Sequence, residues 1–294
     1  MSVTEEQIAE GLRRLGLDQS SAVIVHASLR SFGYVEGGAE ALCRALVDVC
    51  GTVLIAAGAW DACAVPAPPG LVRPRNSYYN AGDWDAFDAA LDQAVPYTPD
   101  LPVAGWLGVV AETLRTSFPH ERGPHPLFSY LAVGTHARRL IEAQRLDWPL
   151  GPIDELAALD GDVLLLGAGH TSSTTIHLAE QRLGRGRFFR YAKTARGVWA
   201  ELPNVSGESH RFDQIEPELR PYTVETVIGE CRARRVKVND VLAVTERLIG
   251  ENPAALLCTD DPGCRCAGAL QQLQHLQAQQ VQQVQQVQEQ TRSV

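Results

Sequence analysis

A chain of 294 residues that is 45% hydrophobic has enough apolar side chain for a full core, as one large domain or one domain with a smaller annex. No run approaches the roughly 20 apolar residues needed to span a bilayer, and Met1-Ser2-Val3-Thr4-Glu5-Glu6 lacks the basic and apolar regions of a signal peptide, which predicts a cytoplasmic protein without a membrane partner. The formal charge of −9 argues against a nucleic-acid partner held through its phosphates and suits a cationic ligand.

From the N-terminus, residues 4 to 17 predict an amphipathic helix with Ile8, Leu12 and Leu15 on one face and Gly16 as its stop. Residues 21 to 26 read as a buried strand, followed by a loop through Gly33, Gly37 and Gly38, a helix over 39–50 and a second apolar strand over 52–57. This β, Gly loop, α, β order suggests a layered α/β domain. Residues 60–103 differ, with prolines at 66, 68, 69, 74, 96, 99 and 102 and acids at Asp83, Asp85, Asp88 and Asp92. So long a stretch reads as a surface excursion, either one wall of a site or a loop without a role. Helices are expected over 108–117 and 135–144, with regular structure resuming over 128–133, and a Pro- and Gly-marked turn over 146–153. Beyond the segment 162–180, strands are expected near 198–202 and 222–228 and a helix over 238–248. From Leu270 the chain is Gln-rich with Leu273, Leu276, Val281, Val284 and Val287 interleaved, which suggests a weakly held helix rather than an oligomer contact or disorder.

The chemistry concentrates in 162–180, where the apolar run Val163-Leu164-Leu165-Leu166 gives way to Gly167-Ala168-Gly169-His170 and then a helical pattern. A strand-to-helix junction presents an ionisable side chain, and helical phase would put His170, Thr174 and His177 on one face with Glu180 a turn beyond. His177-x-x-Glu180 lacks the partner of a His-Glu-x-x-His zinc motif, and the junction carries histidine where a hydrolase elbow carries serine. A helix N-terminus disfavours imidazolium, so a neutral His170 can serve as a base. The seven cysteines, odd and scattered, suit reduced thiols. Cys258, Cys264 and Cys266, with His210 or Cys231, could close a structural zinc site, but Cys264-x-Cys266 is tighter than the usual spacing, which favours free thiols in a loop.

With these residues assembled, the chain resembles the aminoglycoside 3-N-acetyltransferase family. Four blocks carry the resemblance: Val25-His26-Ala27-Ser28-Leu29 with Gly37-Gly38 and Ala45-Leu46; Gly108 to Glu112 with Arg122-Gly123-Pro124-His125-Pro126 and Ser129; Leu150-Gly151 with Leu159-Asp160-Gly161; and Leu165 to Glu180 as Leu-Leu-Gly-x-Gly-His-x-x-x-Thr-x-x-His-x-x-Glu. Thr171 and Ser173 stand where the family has Asp and Asn, Ala27 and Gly123 replace its serines, and Glu208 and Ser209 stand where some relatives carry a Cys pair.

The resemblance implies a layered α/β/α domain over 1–268 with a mixed central sheet, 60–103 as a divergent insertion and 269–294 as a tail. It also implies acetyl-CoA as co-substrate and a cationic amine, an aminoglycoside, as acceptor. His170 would be the general base, Thr174 and backbone N–H groups the oxyanion donors, and Glu201 or Glu112, with Glu180 third, the carboxylate orienting His170. His26, Ser28, Leu29, Arg30, Gly37 and Gly38 would receive coenzyme A; Asp83, Asp85, His177 and Glu180 would face the acceptor. Transfer to a different natural-product amine, a non-catalytic coenzyme A module and assembly as a homo-oligomer remain alternatives at this point.

Overall fold

The computed structural model describes residues 2–71 and 80–292, and among 280–292 only the side chain of Gln282. Pro74 and the side chains of Val281, Val284 and Val287 lie outside the described residues. A seven-stranded mixed sheet runs in the order Val224–Ile228, Cys231–Lys237, Asp162–Leu166, Ala22–Ala27, Thr52–Ala56, Tyr130–Gly134, Glu121–Arg122. Its middle three strands are parallel and the flanking pairings antiparallel.

The unbroken apolar runs of those middle strands follow from burial on both faces. Val23, Val25, Val53, Ile55 and Leu164 point to a core shared with Ile8, Leu12, Leu42 and Leu114. Their alternates Ile24, Leu54, Val163 and Leu165 point to a second core with Leu140, Leu156, Ile176 and Val241. The period of two along a strand therefore divides one sequence between two helical layers. Helices Glu5–Arg14, Gly38–Val49 and Val109–Ser117 cover the first face; Ala137–Glu142, Gly151–Ala158, Thr174–Arg182 and Val238–Glu251 cover the second. Thr4 and Gln7 form a reciprocal capping box at the start of the first helix, whose Ile8 and Leu12 are fully buried as the spacing predicts.

A small antiparallel sheet of Trp199–Val205, Phe188–Lys193 and Ala64–Val65 stands beside the main one. The 60–103 stretch contributes Ala64–Val65 to it and contains a helix, Trp84–Gln93, whose Phe87 meets the Trp199 ring edge-on at 5.5 Å. Several elements escape the sequence pattern. Gly151–Ala158 begins inside the expected 146–153 turn, with Pro152 tolerated in its first turn. Phe188–Lys193 and Cys231–Lys237 carry too many charges to read as strands. In the latter, Arg232 and Arg234 pair with Glu216, and Lys237 with Asp162, while the backbone completes the ladder to Asp162–Leu166.

Candidate active site

The carboxyl ends of the three parallel strands open into a cavity of about 870 Å³, the usual ligand position in sheets of this kind. His26 and Ser28 enter it from the end of the first strand, Ala56 from the second, and Gly167 to Gly169 from the third. Trp60, Tyr130, Thr174 and His177 complete much of the wall. Cavity-lining His26 Nε2 and Trp60 Nε1 are buried and have no hydrogen-bond partner among the described residues. Such atoms fit a ligand that carries its own donors and acceptors, as the amide-bearing arm and thioester of an acyl coenzyme do.

His170 follows the third strand through a turn that only glycine permits. Gly167 has φ 64°, and a Cβ there would lie 1.8 Å from Ser31 Oγ; at Gly169 it would lie 2.7 Å from Asp213 Oδ1. Asp213 also accepts the Thr171 N–H at 3.3 Å. His170–Ser172 is a 3₁₀ turn and Ser173 is extended, so the α-helix starts only at Thr174. His170 is therefore out of phase with Thr174 and His177, against the expectation of one helical face. The imidazole is 2% exposed and lies behind the wall, while Gly169, Thr171 and Ser172 on either side of it line the cavity.

The carboxylate at His170 is Glu216, with Oε2 3.2 Å from Nε2. An ionised carboxylate accepts from Nε2–H, which leaves the lone pair on Nδ1, a buried atom with no hydrogen-bond partner among the described residues. Arg234 donates to the same Glu216 carboxylate and, through Nη2, to Ala168 O at 2.7 Å. One guanidinium thus ties the carboxylate to the glycine turn. Burial, reinforced by the Arg234 charge, holds the His170 pKa below the ordinary 6.5 against the opposing pull of Glu216 and Asp213. His26 is pushed down to about 4, first by burial and then by His170. Burial alone would raise Glu216, but Arg234, His170 and Arg232 outweigh it and keep the carboxyl below its usual range.

Several expected residues lie elsewhere. Glu112 pairs with Arg115 at 2.5 Å and accepts the Val103 N–H, and Glu201 accepts from the Tyr191 hydroxyl at 2.9 Å. Both carboxylates are therefore engaged away from His170, and the orienting position belongs to Glu216. Glu180 is buried against Arg185 at 2.8 Å and against His177 Nδ1 at 2.8 Å. It holds His177, which does line the cavity, rather than facing it. Asp83 caps the helix Trp84–Gln93 by accepting from Ala86 N at 2.8 Å, and Asp85 is exposed on that helix, so neither lines the cavity. Among the described residues the one carboxylate in the wall is Glu208, itself bound by Arg265.

Of the positions expected to hold coenzyme A, His26 and Ser28 line the cavity. Leu29 packs against the core, Arg30 is exposed, and Gly37 and Gly38 form the left-handed entry to the helix Gly38–Val49; none of these four is in the wall. Glu216, Asp213 and Arg234 were missed. Glu216 sits in Ile215-Glu216-Pro217-Glu218 with no periodic signal, and Arg234 in a strand disguised by its charges.

A family model described as aminoglycoside 3-N-acetyltransferase matches residues 24–249. The chain is 33% identical over 226 residues to aminoglycoside N(3)-acetyltransferase IX of Micromonospora chalcea, covering 72% of this chain and 75% of that one. It is 29% identical over 231 residues to the SPbeta prophage-derived aminoglycoside N(3')-acetyltransferase-like protein YokD of Bacillus subtilis (strain 168), covering 72% and 79%. The solved apoenzyme of aminoglycoside acetyltransferase AAC(3)-IVa superposes with a TM-score of 0.74 at 25% identity, covering 92% of this chain and 98% of that one. With the family model spanning the central strands, the His170 turn and the Glu216–Arg234 pair together, the chain belongs to the aminoglycoside 3-N-acetyltransferase family.

Proposed function

We propose that this protein moves an acetyl group from acetyl-CoA to the 3-amino group of an aminoglycoside, by direct transfer with His170 as general base. The observation that carries the mechanism is the His170–Glu216 pair, a buried imidazole kept neutral with its free lone pair on Nδ1. Acetyl-CoA supplies an activated acyl carbon. His170 Nδ1 takes the proton from the amine, directly or through a water, as the C–N bond forms and the C–S bond breaks. The thiolate leaves and is protonated by the imidazolium, which returns His170 to its neutral state. Glu216 stabilises that imidazolium in between, and Arg234 keeps the carboxylate ionised. Thr174 lines the cavity at the first position of its helix, where the earliest N–H groups have no partner within the helix. Its hydroxyl and those N–H groups are the donors for the developing oxyanion.

A different amine as acceptor has one observation in its favour. The acids at 83 and 85 lie outside the cavity wall, and Glu208, the one carboxylate in it, is already engaged by Arg265. A polycation would normally be met by several free carboxylates. Thiol release from acetyl-CoA, measured with aminoglycosides and simpler amines side by side, decides between the two. Acceleration by aminoglycosides, with a mass gain of one acetyl group at the 3-amino position, is expected. A response confined to simpler amines would transfer the reading to that acceptor class. In the same assay His170→Ala is expected to lower kcat by about 10² to 10⁴, and wild-type turnover in that variant would remove His170 as the base.

A further inference from the structure

We infer that His210, Cys258, Cys264 and Cys266 form a structural zinc site that clamps the Glu216-bearing segment to the C-terminal helix. One ligand atom from each of the four lies within 4.8 Å of all the others. Four ligands on a tetrahedral zinc, with Zn–S near 2.3 Å, stand about 3.5–3.8 Å apart. Small side-chain movements therefore close the set. Three sulfurs and one imidazole are a donor set that zinc prefers, and a full set of four leaves no open position for catalysis.

The tight Cys264-x-Cys266 spacing, awkward in the sequence, is resolved by the backbone. Asp261 accepts from Gly263 N at 2.8 Å through its side chain and from Cys264 N at 3.1 Å through its carbonyl. That turn carries Cys264 back towards Cys258. Cys264 directly precedes the helix Arg265–Arg292 and Cys266 lies in its first turn, so both face the loop that carries Cys258. Glu208 Oε2 stands 3.9 Å from His210 Nδ1, a carboxylate beside the imidazole but beyond hydrogen-bond distance.

The need for a clamp is visible in the packing. The start of the C-terminal helix joins the body through a small cluster, Phe188, Leu257, Cys258, Cys266 and Ala269, two of whose five members are thiols. That is little apolar area with which to fix a 28-residue helix. The segment leading out of His210 builds the active site: Phe212 meets His177 edge-on at 4.7 Å, Asp213 holds Thr171, and Glu216 meets His170. Upstream of His210, Ser206 to Ser209 line the cavity. A metal at His210 pins this segment midway.

The test uses the full chain purified under reducing conditions and dialysed against metal-free buffer, with zinc read by atomic emission and no substrate present. About one zinc per chain is expected, retained in Cys43→Ala and lost in Cys258→Ser and Cys264→Ser. Cobalt added to the metal-stripped wild-type chain should give thiolate charge-transfer and tetrahedral d–d absorption, a readout that requires no variant to fold. Hydrogen exchange of residues 206–216 should accelerate on stripping. A wild-type chain that takes up neither zinc nor cobalt, zinc retained in the Cys258→Ser/Cys264→Ser double variant, or a disulfide among the three cysteines would each overturn the site. Because metal content is read without turnover, its failure is distinct from failure of the acetyltransfer reading.

Discussion

At the scale of single residues, the proposed reaction turns on which nitrogen of His170 carries the proton. Glu216 Oε2 stands 3.2 Å from Nε2, which assigns the proton there and makes Nδ1 the proposed base. Burial and Arg234 outweigh Glu216 and hold the His170 pKa below 6.5, and the proposed role as base requires the unprotonated ring. Activity should therefore fall as pH drops through a value below 6.5 and hold above it. Glu216→Gln removes an interaction that raises the His170 pKa, so the acid limb of kcat/KM should move further down while kcat drops by roughly 10². A pH profile measures both, and a limb displaced towards alkaline pH would contradict this assignment of charges.

At the scale of elements, one short edge strand joins three parts of the chain. Arg122, in the strand Glu121–Arg122, donates to the carbonyls of Pro99 at 2.8 Å, Leu101 and Ala57. Its Nε reaches Ser129 Oγ at 3.4 Å, and Ser129 in turn donates to Ala57 O at 2.7 Å. The returning end of the 60–103 excursion is thereby fixed to a central strand and to the cavity wall. Burial lowers the Arg122 pKa, a penalty tolerated because the guanidinium fork satisfies several carbonyls at once. Arg122→Met should destabilise the fold by about 3 kcal/mol in urea unfolding, and Arg122→Lys should recover little, since an ammonium does not reproduce the fork. Full recovery by lysine would show that charge alone matters there. His125 acts nearby, its Nδ1 accepting from Leu127 N at 3.2 Å and Phe128 N at 2.9 Å. The Arg122-to-Pro126 block thus shapes the turn from which Leu127 to Tyr130 enter the cavity.

For the whole molecule, buried neutral histidines set the acid limit of stability. Burial pushes His125 down to about 3 and His26 to about 4, from 6.5. Between those values and 6.5 the unfolded chain binds protons that the folded chain refuses, so stability rises with pH across that window and is lost on acidification. At its own folded pKa the accumulated loss is roughly 3 kcal/mol for His26 and roughly 4 kcal/mol for His125. The unfolding midpoint in urea should decline steadily from pH 6.5 towards 4, and His125→Gln should flatten the decline. A midpoint independent of pH over this range would mean that these rings are protonated in the folded state. Among the described residues no helix is long and apolar enough to cross a membrane, consistent with the shortness of the apolar runs in the sequence.

The sequence by itself determined the α/β layering, the buried central strands and the strand-end junction that carries His170. Strand burial on two faces and helix burial on one are local periodicities, legible in Ala22–Ala27, Asp162–Leu166 and Glu5–Arg14. The Gly167-Ala168-Gly169 turn before His170 was legible as a break in the apolar run, whereas the approach of Ser31 and Asp213 that crowds those two glycine positions is tertiary. Only the tertiary structure chose Glu216 over Glu201 and Glu112, turned Asp83 into a helix cap and moved Glu180 behind His177. A carboxylate's role depends on which cation or imidazole reaches it first, and those partners come from strands and turns far apart in the chain. The same holds for His210 and the three cysteines, whose spacing argued against a metal until the turn at Asp261 brought their ligand atoms together.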